Sequence, residues 1–308
     1  MAAIHIGISG WRYTPWRGDF YPEGLTQKRE LQFASRAVNA IEINGSFYAL
    51  QTPKRYAEWY ADTPEGFMFS VKAPRYITHI LRLRDVHKPM ANFFASGVLE
   101  LKDKLGPILW QFPPSFKFDP PLFEAFLAEL PTTTLQAAAL AHQHEPRLNG
   151  KASMKAYGKQ PLRHAVEIRH KSFAVPEFVQ LLDKYGVALV VADTAGKWPY
   201  AEDVTANFLY LRLHGDKQLY ASGYTDDALA RWSERIERWR HGKQPADAHL
   251  IDPQHKPRAR KQRDVFCFFD NDIKVRAPFD ARQLLQRLGL DEHLATAPGL
   301  LPEPGVLP

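Results

Sequence analysis

Several short apolar segments of this sequence end in charged or amide side chains. Carboxylates combined with cations suit general acid–base and electrostatic catalysis, in which one group moves a proton and another stabilises charge. We predict that the catalytic groups are Glu42, Lys72, Glu167 and His214. The predicted substrate-binding residues are Trp11, Asn44, Gln111, Arg169, Asp193, Arg212, Asp270 and Asn271, with the two arginines as clamps for an anion.

The charges of this set nearly cancel, and both signs are interleaved. A dedicated metal cage would need clustered histidines and carboxylates without cations between them, so none is predicted, although one divalent ion bound with the substrate stays an open alternative. The sequence has no P-loop and no G-x-G-x-x-G motif, so no nucleotide cofactor is predicted. A site with charges of both signs suits a small polar substrate, including phosphorylated or nucleotide-like compounds.

Lys72 could form a Schiff base if its pKa were low, but the nearby Glu42 would oppose a low pKa, so an acid–base or electrostatic role is preferred.

Eight short runs rich in β-branched and aromatic residues alternate with helix-favouring segments. Parallel strands need such crossover connections, and eight units are the number in a closed barrel, whereas open doubly wound sheets more often have five to seven strands. The sequence therefore predicts an α/β fold, a single (β/α)8 TIM-like barrel. The predicted strands are Ile4–Ser9, Ala40–Ile43, Phe67–Lys72, Ile108–Phe112, Ala165–Arg169, Val187–Asp193, Phe208–His214 and Val265–Asp270. The predicted helices are Gln27–Val38, Lys54–Ala61, Met90–Leu105, Pro121–Leu130, Glu177–Tyr185, Asp226–His241 and Phe279–Leu288.

Side chains alternate between the two faces of a strand, so the polar groups can be assigned to one face. The inward sets predicted from this alternation are Glu42 and Asn44; Met68, Ser70 and Lys72; Leu109 and Gln111; Ala165, Glu167 and Arg169; Leu189, Val191 and Asp193; Tyr210, Arg212 and His214; and Phe266, Phe268 and Asp270. In most sets the polar members come last, at the end of a barrel where active sites lie. Ion pairs such as Glu167 with Arg169, or Glu42 with Lys72, could instead be purely structural. So many polar groups from seven strands favour a ligand or catalytic site.

Two stretches interrupt the repeat, Thr132–Arg163 and Gly242–Arg263, and both are interpreted as insertions. The tail from Asp291 is rich in proline, and we expect it to be irregular or loosely attached. The predicted organisation is therefore one barrel domain over residues 1–290, followed by a tail over residues 291–308.

Composition limits the remaining possibilities. The chain has 308 residues and a formal net charge of +6, and its single cysteine, Cys267, excludes an intrachain disulfide. The sequence has no signal-peptide pattern and no long apolar run, so we expect a cytoplasmic protein without a membrane partner.

Residues 231–263 contain ten Lys or Arg and four acidic residues, which accounts for the net charge. An alternative function is therefore nucleic-acid binding, in which this basic segment and the aromatic loop of residues 10–22 bind the sugar–phosphate backbone of the nucleic acid. A third possibility is a non-catalytic small-molecule binder.

Motifs in a fixed order run from the first predicted strand to the eighth. They are Gly7-x-Ser9-Gly10-Trp11, Trp16-x-Gly18-x-Phe20-Tyr21-Pro22, Glu42-x-Asn44-x-x-Phe47-Tyr48, Phe69-Ser70-Val71-Lys72-Ala73, Thr78-His79, Gln111-Phe112-Pro113-Pro114-x-Phe116, His164-Ala165-Val166-Glu167-x-Arg169-His170-x-Ser172, Asp193, Arg212-x-His214-Gly215 and Phe269-Asp270-Asn271-Asp272. In these motifs the chain resembles the YecE-like family, a domain-of-unknown-function family with a TIM-barrel-like fold. The resemblance implies a barrel with a polar mouth and supplies no reaction.

Two positions depart from the pattern of that family. Phe173 stands where tryptophan is usual, and Asp270 stands where asparagine is common. We expect the added negative charge of Asp270 to weaken anion binding at that position.

Overall fold

Eight parallel strands close into a barrel in the computed structural model, which describes residues 2–215, 223–270, 275–303 and 305–307. The strands pair in sequence order, and β1 closes the barrel against β8. They are β1 (Ile4–Ser9), β2 (Ala40–Ile43), β3 (Met68–Lys72), β4 (Leu105–Gln111), β5 (His164–Glu167), β6 (Ala188–Asp193), β7 (Phe208–Leu213) and β8 (Asp264–Phe269). The predicted (β/α)8 fold is confirmed.

Helices connect the strands around the outside of the barrel. They are α1 (Glu30–Ala37), α2 (Gly45–Tyr48), α3 (Pro53–Asp62), α4 (His87–Ala95), α5 (Pro120–Glu129), α6 (Thr134–Ala141), α7 (Pro176–Tyr185), α8 (Asp226–Arg240) and α9 (Ala277–Arg287). Side-chain caps fix several of their starts: Thr52, Asp119 and Thr225 accept hydrogen bonds from backbone N–H groups of the first turns of α3, α5 and α8. These caps satisfy amide groups that a helix start otherwise leaves without partners.

The predicted helix Met90–Leu105 is wrong, because α4 ends at Ala95 and a 3₁₀ segment, Val98–Lys104, follows. Gly97 lies between them with φ of +105°, and a Cβ atom there would lie 2.4 Å from the Pro53 Cα atom. Only glycine fits both the backbone angle and the close approach of α3. The break also lets β4 start at Leu105, earlier than predicted.

Apolar side chains fill both sides of the sheet. Between strands and helices lies the larger core, and the barrel interior has its own cluster, made of Ala40, Leu109, Ala165, Ala188, Val190, Ala192, Phe208, Tyr210, Phe266 and Phe268. The prediction that Leu189, Val191 and Asp193 point inward is wrong, because Leu189 and Val191 belong to the outer core. The small inner residues of β6 leave room for the aromatic rings of β7 and β8, as close packing requires.

The parallel strands give the barrel two distinct ends. Residues 10–22 follow the C-terminal end of β1, whereas the segment 242–263 leads into the N-terminal end of β8 and contains no helix or strand. In the described residues of the tail there is likewise no regular element, but Thr296 hydrogen bonds to the backbone of Arg36 and Phe33 in α1. No helix in the described part of the chain is long and apolar enough to cross a membrane.

Candidate functional site

Arg212 lies at the centre of the polar groups at the C-terminal ends of the strands, which we call the mouth. Its side chain is completely buried in β7. The guanidinium group forms two hydrogen bonds with Glu42, at 3.0 and 2.8 Å, one with Glu167 at 2.7 Å and one with Asp270 at 2.8 Å. Its remaining N–H points to His214 Nε2 at 3.4 Å. All five donors of the guanidinium are thus directed at protein acceptors, so Arg212 orders three carboxylates and offers no donor to clamp an anion.

Glu42 is likewise occupied by protein donors. In addition to Arg212 it accepts hydrogen bonds from Ser9 Oγ at 3.0 Å and from the Tyr210 hydroxyl at 2.6 Å, and its side chain is fully buried. Ser70 Oγ lies 2.6 Å from the same Tyr210 hydroxyl. The geometry does not bring Glu42 to the surface of the mouth, where a catalytic carboxylate would be needed. It belongs to a closed layer of hydrogen bonds beneath the mouth.

Glu167 connects this layer with the mouth. One oxygen accepts from Gln111 at 2.9 Å and from Arg169 Nε at 2.8 Å, and the other accepts from Arg212. Burial by itself would raise the pKa of Glu167, but the positive charges of Arg169 and Arg212, with His214 and Lys72, hold it well below the usual range. Glu167 is therefore a carboxylate at neutral pH.

His214 and Asp270 form a second pair at the mouth. His214 Nδ1 lies 3.1 Å from Asp270 Oδ2, and the fully buried ring has its other nitrogen beside Arg212. Although burial opposes it, the charge of Arg212 and the hydrogen bond from His214 hold the pKa of Asp270 below its usual value. Its negative charge is thus paired inside the protein, and the predicted ligand residue Asn271 lies outside the described residues.

Lys72 differs from these groups in its contacts with the described residues. Within the described part of the chain its Nζ atom forms no hydrogen bond or ion pair, and it lies 4.3 Å from the centre of the Phe47 ring. The expected pair with Glu42 is therefore absent there, since Glu42 contacts Arg212. The side chain is 8% exposed, at the end of β3. Burial, together with the charge of Arg212, lowers the pKa of Lys72 to about 8, against the weaker opposing effect of the carboxylates. At neutral pH a useful fraction of this amine is unprotonated.

Three aromatic side chains at the mouth were not among the predicted site residues. The His79 ring packs edge-to-face on Phe47 at 5.1 Å, and burial, Lys72 and Arg169 lower its pKa to about 4. The guanidinium of Arg169 lies 3.7 Å from the ring centre of Trp198, in the connection between β6 and β7. The Thr78-His79 motif was a signal for the first of these residues. The motif Glu42-x-Asn44-x-x-Phe47-Tyr48 was likewise a signal for Phe47, whereas no motif or strand pattern included Trp198.

Three predicted residues lie away from the axis of the barrel. Asp193 accepts a hydrogen bond from the Tyr224 hydroxyl at 3.0 Å, on the outer side of β6. Asn44 begins the turn after β2 and, together with Trp11, lines a separate cavity beside the mouth. The remaining predicted residues that the structure describes meet at the axis: Glu42, Lys72, Gln111, Glu167, Arg169, Arg212, His214 and Asp270.

Residues 242–263 of the basic segment lead into the N-terminal end of β8, whereas the aromatic loop follows the C-terminal end of β1. Several arginines of the basic segment are also paired within the protein, such as Arg235 with Glu202 at 3.1 Å and with Asp247 at 2.6 Å. In the loop, the rings of Trp16, Phe20 and Tyr21 are fully buried. These contacts favour structural roles for most of both segments.

The chemistry of the mouth therefore divides between two layers. Glu42, Tyr210 and Arg212 form the lower, closed layer, while Lys72 and Arg169 keep some solvent exposure. Among the described residues, no group of three or more His, Cys, Asp or Glu has a geometry suited to holding a metal ion.

Comparisons with known proteins agree on the family and on the fold. A family model described as "Protein of unknown function DUF72" matches residues 5–304. YunF of Bacillus subtilis, a UPF0759 protein, is 33% identical over 121 residues, which cover 37% of this chain and 41% of YunF. YecE of Escherichia coli is 29% identical over 113 residues, covering 37% of this chain and 39% of YecE. The chain thus spans about two fifths of the length of these curated relatives.

Solved structures resemble the whole barrel. A DUF72 family protein from Thermotoga maritima has a TM-score of 0.67 at 23% identity, covering 93% of this chain and 99% of that protein. Another, from Enterococcus faecalis, has a TM-score of 0.65 at 19% identity, covering 93% and 96%. At these identities the similarity establishes the shared fold.

Proposed function

Since the chain belongs to the DUF72 family, whose description names no reaction, we propose a function from the mouth itself: an enzyme that uses Lys72 for proton transfer on a small, polar, anionic substrate. The observation that carries the proposal is the position of the Lys72 ammonium. It is buried next to a network of ion pairs but has no acceptor of its own among the described residues. A buried charge without a partner destabilises a fold, so a lysine at the C-terminal end of a barrel strand with no partner among the described residues suggests a functional role.

The lowered pKa of Lys72 suits it to both directions of proton transfer. An acid or base works best when its pKa lies near the working pH, and a value of about 8 leaves both forms populated at neutral pH. As a base, Nζ would take a proton from a carbon or oxygen atom of the substrate. The resulting ammonium would then return the proton to another atom of the substrate or to a leaving group, as in isomerases and lyases.

The surrounding residues would position Lys72 and the substrate. Glu167 remains ionised and can stabilise the ammonium form of Lys72 across the mouth. Arg212 holds Glu167 and Asp270 in place and acts as a positioning residue. Gln111, which donates to Glu167 at 2.9 Å, fixes that carboxylate from the neighbouring strand.

The electrostatic field on one side of the mouth supports an anionic substrate. Burial lowers the pKa of His79 most, and the charges of Lys72, Arg169 and Arg75 lower it further against the smaller opposing effect of Glu167, so positive charges outweigh negative ones around this ring. The nearby carboxylates accept hydrogen bonds from Arg212, and Glu167 also accepts one from Arg169. A carboxylate or phosphate group of the substrate would supply the counter-charge that Lys72 lacks.

A comparison of variants in a metabolite mixture tests this function while the substrate is still unidentified. The protein, Lys72→Met and the exposed-lysine control Lys117→Met are each incubated with a bacterial metabolite extract, and mass spectrometry follows the compounds consumed. We expect the wild type and Lys117→Met to convert the same anionic compounds and Lys72→Met to be at least about 100-fold slower, as for loss of a proton-transfer group. The proposal is wrong if the wild type converts nothing, or if Lys72→Met converts the same compounds at an unchanged rate.

A further inference from the structure

A second cavity lies beside the mouth, between the loop after β1 and the start of α3. We call it the rim cavity; it has a volume of about 310 Å³, and its walls include Trp11, Arg12, Tyr13, Asn44, Arg55 and Trp59. Lys72, Glu167 and Arg212 do not line it. It is therefore a candidate binding site in addition to the proposed catalytic group, and its size is near the lower end for small-molecule pockets, about 300 Å³.

Aromatic rings form much of this cavity. Trp11 and Trp59 pack edge-to-face at 5.2 Å in its wall, and each is less than one tenth exposed. Tyr48, at the edge, is 72% exposed although it is a large ring. The exposed ring of Tyr48 and the half-buried ring of Tyr13 are suited to stacking on a planar ligand, with the two tryptophans forming the wall behind them.

The local backbone holds one of these rings in place. Gly10 has φ of +82°, and a Cβ atom there would lie 2.9 Å from the Tyr13 hydroxyl. That hydroxyl donates a 2.6 Å hydrogen bond to the backbone carbonyl of Ser9. Since Ser9 also contacts Glu42, the wall of the rim cavity is anchored to the closed layer beneath the mouth.

The charge of the rim cavity is positive. Arg12 and Arg55 line it, and no acidic side chain does so within the described part of the chain. Both arginines are exposed, and Arg55 is oriented by a 3.1 Å hydrogen bond to Gln51, which also lines the cavity. Guanidinium groups in this setting recognise phosphate or carboxylate groups.

Two buried polar atoms in the lining residues have no partner among the described residues. They are Trp11 Nε1, a donor, and Asn44 Oδ1, an acceptor. Buried polar atoms without partners are uncommon, and because neither atom is exposed to the cavity, a ligand that offers an acceptor and a donor would satisfy them once the two side chains rotate towards it. A nucleobase carries both on one planar ring, whereas a sugar phosphate lacks the ring.

We propose that the rim cavity binds a nucleotide, with the base between the aromatic side chains and the phosphate on Arg12 and Arg55. The same chemistry occurs in a free nucleotide and in a single-stranded nucleic acid. In both cases Trp11 and Asn44 would contact the edge of the base. The proposal does not depend on the role of Lys72.

Calorimetric titration with defined probes tests the proposal. The probes are the four common nucleoside 5′-monophosphates, adenosine, ribose 5-phosphate and a single-stranded tetranucleotide. We expect at least one monophosphate to bind at least about tenfold more tightly than either adenosine or ribose 5-phosphate, because only the nucleotide uses both the rings and the arginines. If the tetranucleotide binds more than tenfold more tightly again, the natural ligand is a nucleotide within a strand; if not, it is a free nucleotide.

Variants localise the binding. Arg12→Ala combined with Arg55→Ala should weaken it at least tenfold, and Trp11→Phe, which keeps a ring but removes the N–H donor, should weaken it about threefold to tenfold. Arg84→Ala, an exposed arginine elsewhere, should leave it unchanged. The proposal is overturned if no nucleotide or tetranucleotide binds at millimolar concentration, if ribose 5-phosphate binds equally well, or if the Arg12/Arg55 double variant binds like the wild type.

Discussion

Among single residues, Arg212 has the greatest structural consequence in the mouth. It is the shared partner of Glu42, Glu167 and Asp270, so its removal takes a counter-charge from all three carboxylates and leaves Glu167 with Arg169. We predict that Arg212→Met lowers the free energy of unfolding at pH 7 by about 3–5 kcal/mol. Tyr210→Phe, which removes only one donor to Glu42, should lower it by about 1–3 kcal/mol. Urea unfolding of the two variants and the wild type measures both effects.

The same comparison has a defined pH dependence. In the wild type the pKa values of Glu167 and Asp270 are depressed, so their contribution to stability is present above the unfolded pKa values and is lost as the pH falls through the lower folded values. Without Arg212 these carboxylates should protonate more readily. The difference in free energy of unfolding between the wild type and Arg212→Met should therefore become smaller between pH 7 and pH 4. A difference that becomes larger in acid would show that Arg212 does not stabilise the carboxylates.

Two buried lysines offer a matched pair of substitutions. Lys104 donates to the backbone carbonyl groups of Tyr60 and Thr63, each at 2.7 Å, whereas Lys72 has no acceptor in the described residues. We predict that Lys72→Met raises the free energy of unfolding at pH 7, by up to about 3 kcal/mol. Lys104→Met should lower it, because the two carbonyl groups lose their donor.

The sign of the pH effect follows from the lowered pKa of Lys72. Between pH 8 and 10.5 the unfolded chain keeps the proton that the folded protein has released, so the wild type gains stability as the pH rises through this range. The higher free energy of unfolding of Lys72→Met should therefore fall to that of the wild type near pH 10.5. A difference between the two proteins that stays constant from pH 7 to 10.5 would contradict the lowered pKa of Lys72.

The sequence was sufficient to predict the inward face of most strands but not the partners across the barrel. Alternation assigns Arg212 to the inner face, yet nothing local in β7 indicates that carboxylates from three other strands saturate its donors. Glu42 was expected to contact Lys72 for the same reason. Partner choice depends on the stagger of strands around the closed barrel, which a one-dimensional pattern does not contain.

At the level of elements, prediction worked where the two faces of a segment differ in polarity. Strands such as β7, with Arg212 among its inner residues, have a clear polar member. The strand β6 (Ala188–Asp193) has apolar residues on both faces up to Ala192, and its one polar residue, Asp193, is on the face of Leu189 and Val191, which packs outward. For that reason Asp193 was assigned to the wrong face.

The break after α4 provides a test at this scale. Gly97→Ala should lower the free energy of unfolding by at least about 2 kcal/mol more than Gly186→Ala, since both glycines have positive φ but only Gly97 approaches another backbone. At Gly186 a Cβ atom meets nothing within 4 Å. If denaturant unfolding shows that the two variants lose the same free energy of unfolding, the contact between Gly97 and α3 does not determine where α4 ends.

At the level of the whole molecule, the tail tests how far the folded unit extends. We predict that residues 291–308 unfold together with the barrel, although they contain no regular element where the structure describes them. Leu307 is buried, and its carbonyl accepts a hydrogen bond from Arg29 at 3.2 Å, beside the start of α1. Truncation after Ala295 should lower the free energy of unfolding by about 2 kcal/mol or more while leaving one cooperative transition. An unchanged midpoint would identify the tail as an independent appendage.

The central claim is that the mouth contains a lysine prepared for proton transfer, and NMR titration tests it most directly. Lysine labelled with ¹³C at Cε reports the protonation of each side chain, and Lys72→Met assigns the resonance of Lys72. We predict a midpoint close to pH 8 for this residue in the wild type, because burial and Arg212 disfavour its charge. A midpoint at or above about pH 10, as for an exposed lysine, would contradict the proposed role of Lys72 in the mouth.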